Sequence, residues 1–329
     1  MKKALLTIFQ VAVTLFVLYL VFRDPARRAQ MAEALGTADK GWILIGVLVG
    51  SLTYVAGTIR FGVLLQTQGI FLPWLRVAGI FMVGLFFNLF GLGSTGGDVV
   101  KIFYVVREVG DRKTAAGFTV LMDRVVGLVA LALIAVGCVA FRYSWLTRTP
   151  AAAALVTAFA VVMAAAIAVL LAAAFLAVTG LAEKLPARLP GRAKILELVD
   201  VFQNFGRDWR RLVLALLLSF VAHGAMFFTF YAAARSLQAN VPILDLITIM
   251  PVVNTIVSLP ISVSGVGVRE KLFEELLGGL CGVAPGVAVL ISVIGFSIGI
   301  FFCLIGGVVY LFYRSPAALP AAVEEVKAP

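Results

Sequence analysis

The sequence predicts an all-α polytopic membrane protein with six full transmembrane helices and two re-entrant helical hairpins, arranged as an inverted repeat. Three observations carry this prediction. Apolar runs about as long as a bilayer-spanning helix, ~20 residues, recur along the chain. Two of these runs stop at glycine-rich turns, and the order of elements in residues 1–145 returns in residues 151–315. Composition agrees, with 62% hydrophobic and 13% charged residues and a mean hydropathy of +1.07. An average soluble domain is about 45–50% apolar and about 25% charged, and its interior is too small for this apolar share. One membrane domain is expected over 1–315, followed by a disordered cytoplasmic tail at 316–329.

Met1-Lys2-Lys3 precedes an apolar run from Ala4 to Phe22. The run exceeds the roughly 7–15 residues of a signal-peptide core, and no small-residue cleavage site follows it, so it reads as the first span. The full spans are predicted at 4–22, 41–65, 114–141, 151–180, 212–238 and 284–313. The two remaining apolar segments, 73–92 and 244–260, end at turn chemistry, Gly91 to Gly97 and Pro260 to Gly267. A short charged helix follows each, at 98–109 and 268–278. Irregular backbone at membrane depth needs protein or a water-filled cavity to satisfy its hydrogen bonds, so both segments read as re-entrant hairpins.

Each half thus contains three full spans, an odd number, and the second half must be inserted upside down relative to the first. Such inverted repeats place a transporter's substrate site where the broken helices meet, near the midplane. With the N-terminus cytoplasmic, fifteen of the 27 basic residues fall on the cytoplasmic side, seven of them in Lys184–Arg211; seven fall outside and five at membrane depth. That asymmetry places both termini in the cytoplasm. The net charge of +10 is therefore first an orientation signal, and no nucleic-acid partner is expected. Ile195, Leu198, Val199, Phe202 and Phe205 recur at helical spacing opposite Lys194, Glu197 and Asp200, which predicts an amphipathic helix at 191–206 on the cytoplasmic face. Cys138, Cys281 and Cys303 lie in apolar stretches with no metal-ligand spacing and read as core packing.

Ionisable and polar residues near the breaks are the candidate site. In the first, Asn88, Ser94, Gly96 and Gly97 lead into Asp98 and Lys101. A glycine turn feeding a helix start offers free N–H groups and a positive dipole end to an anion, and Lys101 adds a full charge. The same glycines also serve a tip that merely has to turn in a crowded bundle. In the second, Asn254, Ser264, Gly265 and Gly267 lead into Arg269 and Glu270. Arg269 follows the turn where an anionic headgroup would sit, while Lys271 and Glu275 have the spacing of a helix-surface ion pair.

Asp123 and Arg124 lie about ten residues inside the third span, about 15 Å from Lys113. Charges at that depth need partners or a cavity. Adjacent helix positions diverge, so the two cannot neutralise each other. Lys101 or Arg269 is the expected cation for Asp123, and Asp98, Glu270 or a lipid phosphate the expected anion for Arg124. For Arg60, near the cytoplasmic end of its span, a site role and simple snorkelling are both open. His223, the one histidine, reads as a hydrogen-bonded core residue. No metalloprotease, Cys-x-x-Cys or nucleophile-elbow motif occurs, so no enzyme activity, metal or cofactor is expected.

Ile59-Arg60-Phe61, Gly96-Gly97-Asp98-Val99-Val100-Lys101, Asp123-Arg124-Val125-Val126-Gly127-Leu128 and Gly265-Val266-Gly267-Val268-Arg269-Glu270 together resemble the flippase-like transmembrane family named after the membrane part of lysylphosphatidylglycerol synthase. The resemblance covers about 5–313. It implies two re-entrant hairpins, an inner-membrane location and movement of lipids or lipid-linked headgroups between leaflets. Two-part members carry a separate aminoacyl-transferring domain; this chain ends soon after Arg314, so that activity is expected to be absent. Lys101 stands where an Arg is common in the family, and the first turn lacks a frequent Pro. An ammonium lacks the bidentate fork of a guanidinium, which changes headgroup geometry.

The expected function is lipid transport between leaflets, of a phospholipid or a related anionic headgroup. A carrier of polyprenyl-phosphate or its glycosylated form is the alternative, ahead of a lipid-modifying enzyme or a structural subunit. Membrane lipids with anionic phosphate headgroups are the expected partners, and nothing in the sequence excludes a homo-oligomer.

Overall fold

The computed structural model describes residues 11–19, 23–90, 96–109, 113–179, 192–259 and 261–313. These are helical almost throughout, with no strand among them. The helices are α1 (11–19), α2 (Pro25–Gly36), α3 (Lys40–Thr67), α4 (Trp74–Phe90), α5 (Gly96–Val109), α6 (Lys113–Leu146), α7 (Pro150–Val178), α8 (Arg192–Arg207), α9 (Trp209–Ser236), α10 (Ile243–Ser258), α11 (Val268–Cys281) and α12 (Pro285–Phe312).

Helix starts follow local chemistry. Asp24, Asp39, Thr149 and Asp208 cap α2, α3, α7 and α9 with side-chain oxygens that accept from otherwise unpaired backbone N–H groups. Pro25, Pro150 and Pro285 occupy first helical positions, where a missing N–H costs nothing.

Five helices, α3, α6, α7, α9 and α12, are long and apolar enough to cross a membrane. They match five predicted spans to within a few residues. The remaining predicted span, 4–22, lies partly outside the described residues. The tip at 91–95, which holds Ser94, and the tail at 316–329 lie wholly outside them. α4 and α10 have 17 and 16 residues, about 25 Å each at 1.5 Å per residue, short of the roughly 30 Å hydrocarbon core.

Two elements depart from expectation. The predicted connection at 23–40 contains α2, whose low hydropathy conceals it; Gln30 Oε1 accepts from the Gly286 amide at 3.1 Å, and Arg27 pairs with Glu274 at 2.9 Å. α6 runs past 141 to Leu146 and leaves helical geometry at Arg142. There the guanidinium pairs with Asp245 and lies 4.2 Å over the Trp145 ring.

α3 and α9 form the central pair. Gly46 meets Ala232, Gly50 meets Thr229, Thr53 Oγ1 donates to the Ala222 carbonyl at 3.2 Å and Arg60 Nη1 to Ser219 Oγ at 3.0 Å. Numbers rise along one helix as they fall along the other, so the two are antiparallel. A Cβ on Gly50 would lie 2.8 Å from Thr229 Oγ1, which explains the small residues on this face. Around the pair, α4 packs on α12 and α10 on α6, while α5 packs on α6 and α11 on α12. Each hairpin has its own core: Phe61, Ile80, Phe81, Tyr104 and Val105 on one side, Ile249, Met250, Phe273, Leu276 and Leu277 on the other. Phe205 of α8 is buried beside Leu64, Met122, Val126 and Ala215.

Candidate functional site

Helices α3, α4, α5, α6 and α9 form a partly open cavity of about 290 Å3, lined among others by Thr53, Tyr54, Arg60, Asn88, Asp98, Lys101, Asp123, Arg124 and His223. A second cavity of about 250 Å3 adjoins it, lined by Asn254, Arg269, Phe296 and a largely apolar remainder. Thr53, Tyr54, Leu85 and Met226 line both.

Asp123 is the hub of the first cavity and is 4% exposed. Its Oδ1 accepts from Arg60 Nε at 2.7 Å, and its Oδ2 lies 3.6 Å from Lys101 Nζ. Arg60 reaches it because Gly127 of α6 leaves room: a Cβ there would lie 3.2 Å from Nη1. Lys101 runs its stem across Gly84 and sets its ammonium 4.3 Å over the Phe81 ring, an attractive placement for a cation. Asp98 and Arg124 form a second ion pair on the same wall. Three cations therefore face two carboxylates, and the wall carries a surplus positive charge.

The pairings correct two expectations. Arg269 does not neutralise Asp123; Arg60 does, together with Lys101, because the antiparallel α3 brings the guanidinium to the depth of Asp123. Arg60 is thus half-buried and turned into the bundle, and does not snorkel. Nor does Glu270 serve Arg124. Its Oε2 accepts from the Gly267 amide at 2.5 Å and its Oε1 from Ser292 Oγ at 2.8 Å, so both oxygens are spent tying the start of α11 to α12.

Both breaks depend on backbone that only small residues permit. Asn88 Oδ1 accepts from the Gly97 amide at 3.0 Å, closing α4 onto α5, and a Cβ on Gly97 would lie 1.8 Å from the Gly84 carbonyl oxygen. Gly96 opens α5 beside it. Across the site, Ser264, Gly265 and Gly267 take φ of 50°, 75° and 84°, the left-handed region that costs a side chain energy. Ser264 Oγ donates to the Leu89 carbonyl at 3.2 Å, so the second turn touches the end of α4. Thr14 of α1 accepts from the Val263 amide at 2.9 Å.

Arg269 is 7% exposed, its guanidinium carbon 3.9 Å over the Phe296 ring and its Nη2 donating to the Ser264 carbonyl at 3.0 Å. Asn254 lies beside it on the second cavity's wall, with Nδ2 3.9 Å from Met226 Sδ. His223, read as a hydrogen-bonded core residue, donates from Nε2 to the Gly127 carbonyl at 3.0 Å and also lines the first cavity. Lys271 pairs with Glu275 at 2.8 Å, as its spacing predicted, and with Glu274 at 3.4 Å. Tyr54, Ser219, Gly84 and Phe296 were missed: a single hydroxyl, glycine or ring in an apolar span carries no periodic signal. Among the described residues no group of three metal-ligating side chains occurs.

The sequence model described as the lysylphosphatidylglycerol synthase TM region matches residues 6–307 of the chain. The chain is also similar to a UPF0104 membrane protein of Pyrococcus horikoshii, 22% identical over 338 residues, which cover 95% of this chain and 98% of that protein.

Proposed function

We propose, from the premise that the chain belongs to the family of the lysylphosphatidylglycerol synthase transmembrane region, that it is a transporter moving an anionic lipid headgroup between leaflets through the two adjoining cavities. One observation carries this reading. Breaks from opposite halves of the chain meet, Ser264 against Leu89, beside a cavity pair lined by Arg60, Asp98, Lys101, Asp123, Arg124 and Arg269. Ionisable groups within apolar bundles are costly and mark substrate paths.

The packing supports the inverted repeat. Exchange of α3–α6 with α9–α12 turns the contacts α4·α12 and α5·α6 into α10·α6 and α11·α12, both present. The equivalent helices α3 and α9 lie antiparallel, as an axis within the membrane plane requires. We read α4–α5 and α10–α11 as hairpins entering from opposite faces, and α1 as part of a sixth full span. The family resemblance implies a bacterial cytoplasmic membrane, and the asymmetry of basic residues supports both termini in the cytoplasm. Movement of the headgroup involves no covalent step.

The test is the purified chain in vesicles containing a headgroup-labelled anionic phospholipid, with exchange followed by quenching of the outer leaflet. Exchange faster than in protein-free vesicles is expected, and its loss in Arg124→Glu while that variant still elutes as a folded species. Exchange no faster than in empty vesicles would overturn the proposal. Mass spectrometry of co-purified lipid separates a phospholipid from a polyprenyl-phosphate carrier.

A further inference from the structure

We infer that the lipid's phosphate is held in the second cavity by Arg269, and that the ligand class is a lipid bearing a single phosphodiester. The inference rests on reading the cavities as a lipid site and adds where the phosphate sits and which phosphate chemistry fits.

The two halves of the site differ in one respect. Lys101 and Arg269 each follow a glycine turn, and each lies against an aromatic ring, Phe81 and Phe296. Lys101 also has a carboxylate, Asp123, on α6. On α12, the partner of α11 as α6 is of α5, the ring of Phe296 is what meets Arg269. The guanidinium's other contact is the Ser264 carbonyl, and its buried Nη1 finds no acceptor among the described residues. Ser262 Oγ, on the same turn, is likewise buried without a partner.

Glu270, the neighbouring carboxylate, attracts the guanidinium through space but has both oxygens on Gly267 and Ser292. Arg269 is therefore a buried cation with no direct ion pair among the described residues, which carries a large desolvation cost. An anionic ligand atom on Nη1 removes it, and a phosphate oxygen suits a guanidinium best because the fork presents parallel N–H groups. Arg269 is the only charged side chain among the described residues of the second cavity. The surplus charge of the first cavity is shared by Arg60 and Lys101, both drawn to Asp123, and by the rings of Phe61 and Phe81. A second phosphate would therefore face either the apolar wall formed by Leu85, Leu89, Phe230 and Ile298 or, in the first cavity, cations already paired with Asp98 and Asp123, whose one surplus charge is spread over several side chains. A diester carries one charge and leaves its second substituent, the headgroup, for the polar first cavity, where Thr53, Asn88 and His223 offer hydrogen bonds. Phospholipids and glycosylated polyprenyl phosphodiesters share this chemistry.

Native mass spectrometry of the full chain in detergent tests the assignment without measuring transport. The probes are a phosphatidylglycerol, a diacylglycerol of the same acyl chains, a glycosylated polyprenyl phosphodiester and a polyprenyl diphosphate. Wild type is expected to retain at least one of the two diesters on the order of tenfold better than the diacylglycerol, the size of one charge-assisted hydrogen bond, and better than the diphosphate. Which diester binds better identifies the source. Arg269→Gln should remove the advantage and Arg269→Lys restore part of it. Undiminished diester preference in folded Arg269→Gln, or a diphosphate bound as well as the diesters, overturns the inference. Should Arg269→Gln fail to fold, the wild-type ranking decides alone. Diester binding without exchange in vesicles would sink the transport reading and leave this site standing.

Discussion

Arg60 and Asp123, 63 positions apart, share a 2.7 Å hydrogen bond inside the bundle, and Lys101 shares the same carboxylate from the other side. Removing one member of a buried charge set typically costs about 3–5 kcal/mol because the remainder is left uncompensated. Asp123→Asn strands two cations, whereas Arg60→Met leaves Lys101 to neutralise the acid. Asp123→Asn is therefore expected to lower the thermal unfolding midpoint in detergent further than Arg60→Met. The reverse order would contradict a shared carboxylate.

Gly97→Ala should prevent the first hairpin from closing, since its Cβ would lie 1.8 Å from the Gly84 carbonyl oxygen. Overpacking of this kind costs about 1–3 kcal/mol or more. Gly137→Ala, with nothing within 4 Å of its Cβ, is the control and should gain about 0.5–1 kcal/mol from helix propensity. Yield of monodisperse protein and its unfolding midpoint distinguish the two.

Arg142 and Asp245 join the end of α6 to the start of α10. Each charge reversal alone, Arg142→Asp or Asp245→Arg, should destabilise, and the double reversal should recover part of the loss. A coupling of about 0.5–3 kcal/mol is expected for residues in direct contact. Additive losses would show that the pair contributes nothing.

Ser264 holds φ of 50° while its hydroxyl ties the second turn to Leu89. Ser264→Gly removes a hydrogen bond worth about 1 kcal/mol and relieves a left-handed strain of about 1–2 kcal/mol, so stability should hardly change. Vesicle exchange should nevertheless fall, because the contact between the breaks is lost. Ser264→Val keeps the strain and should lower both. Full exchange in folded Ser264→Gly would show that the contact is dispensable.

The long helices were legible because a span is a property of some twenty consecutive residues, and hydropathy averages over them. Both breaks were legible for the opposite reason: glycine and serine clusters are rare in such runs. Pairings were legible only in part. Asp98 and Lys101 were correctly named as candidates for Arg124 and Asp123, since their break lies close in sequence to α6. Arg60 was missed as the partner of Asp123 because depth counted along α3 says nothing about which helix it will face. That depends on the α3–α9 contact, which is fixed by Gly46, Gly50, Ala222 and Ala232, small residues indistinguishable by hydropathy from any others. Glu270 was misassigned because a helix-capping carboxylate and a substrate-binding one look alike until the N–H groups around them are located. α2 escaped because it is neither apolar enough for a span nor strongly amphipathic.

The antiparallel pair of α3 and α9 has a consequence for how substitutions act under the transport reading. If each half in turn adopts the other's conformation, residues on the axis between them meet equivalent surroundings in both states. A change at Thr53, which meets Ala222, the position equivalent to its own on α9, then raises the energy of both states together, and their relative populations stay where they were. Arg142 and Asp245 lie off that axis, so on this reading their contact belongs to one of the two states. Substitutions there shift the occupancy of inward and outward forms by the full energy of the lost interaction, about tenfold for each 1.4 kcal/mol. Under the transport reading, then, the α3–α9 crossing at Thr53 and Ala222 sets whether the protein persists, and a peripheral ion pair sets which leaflet it faces.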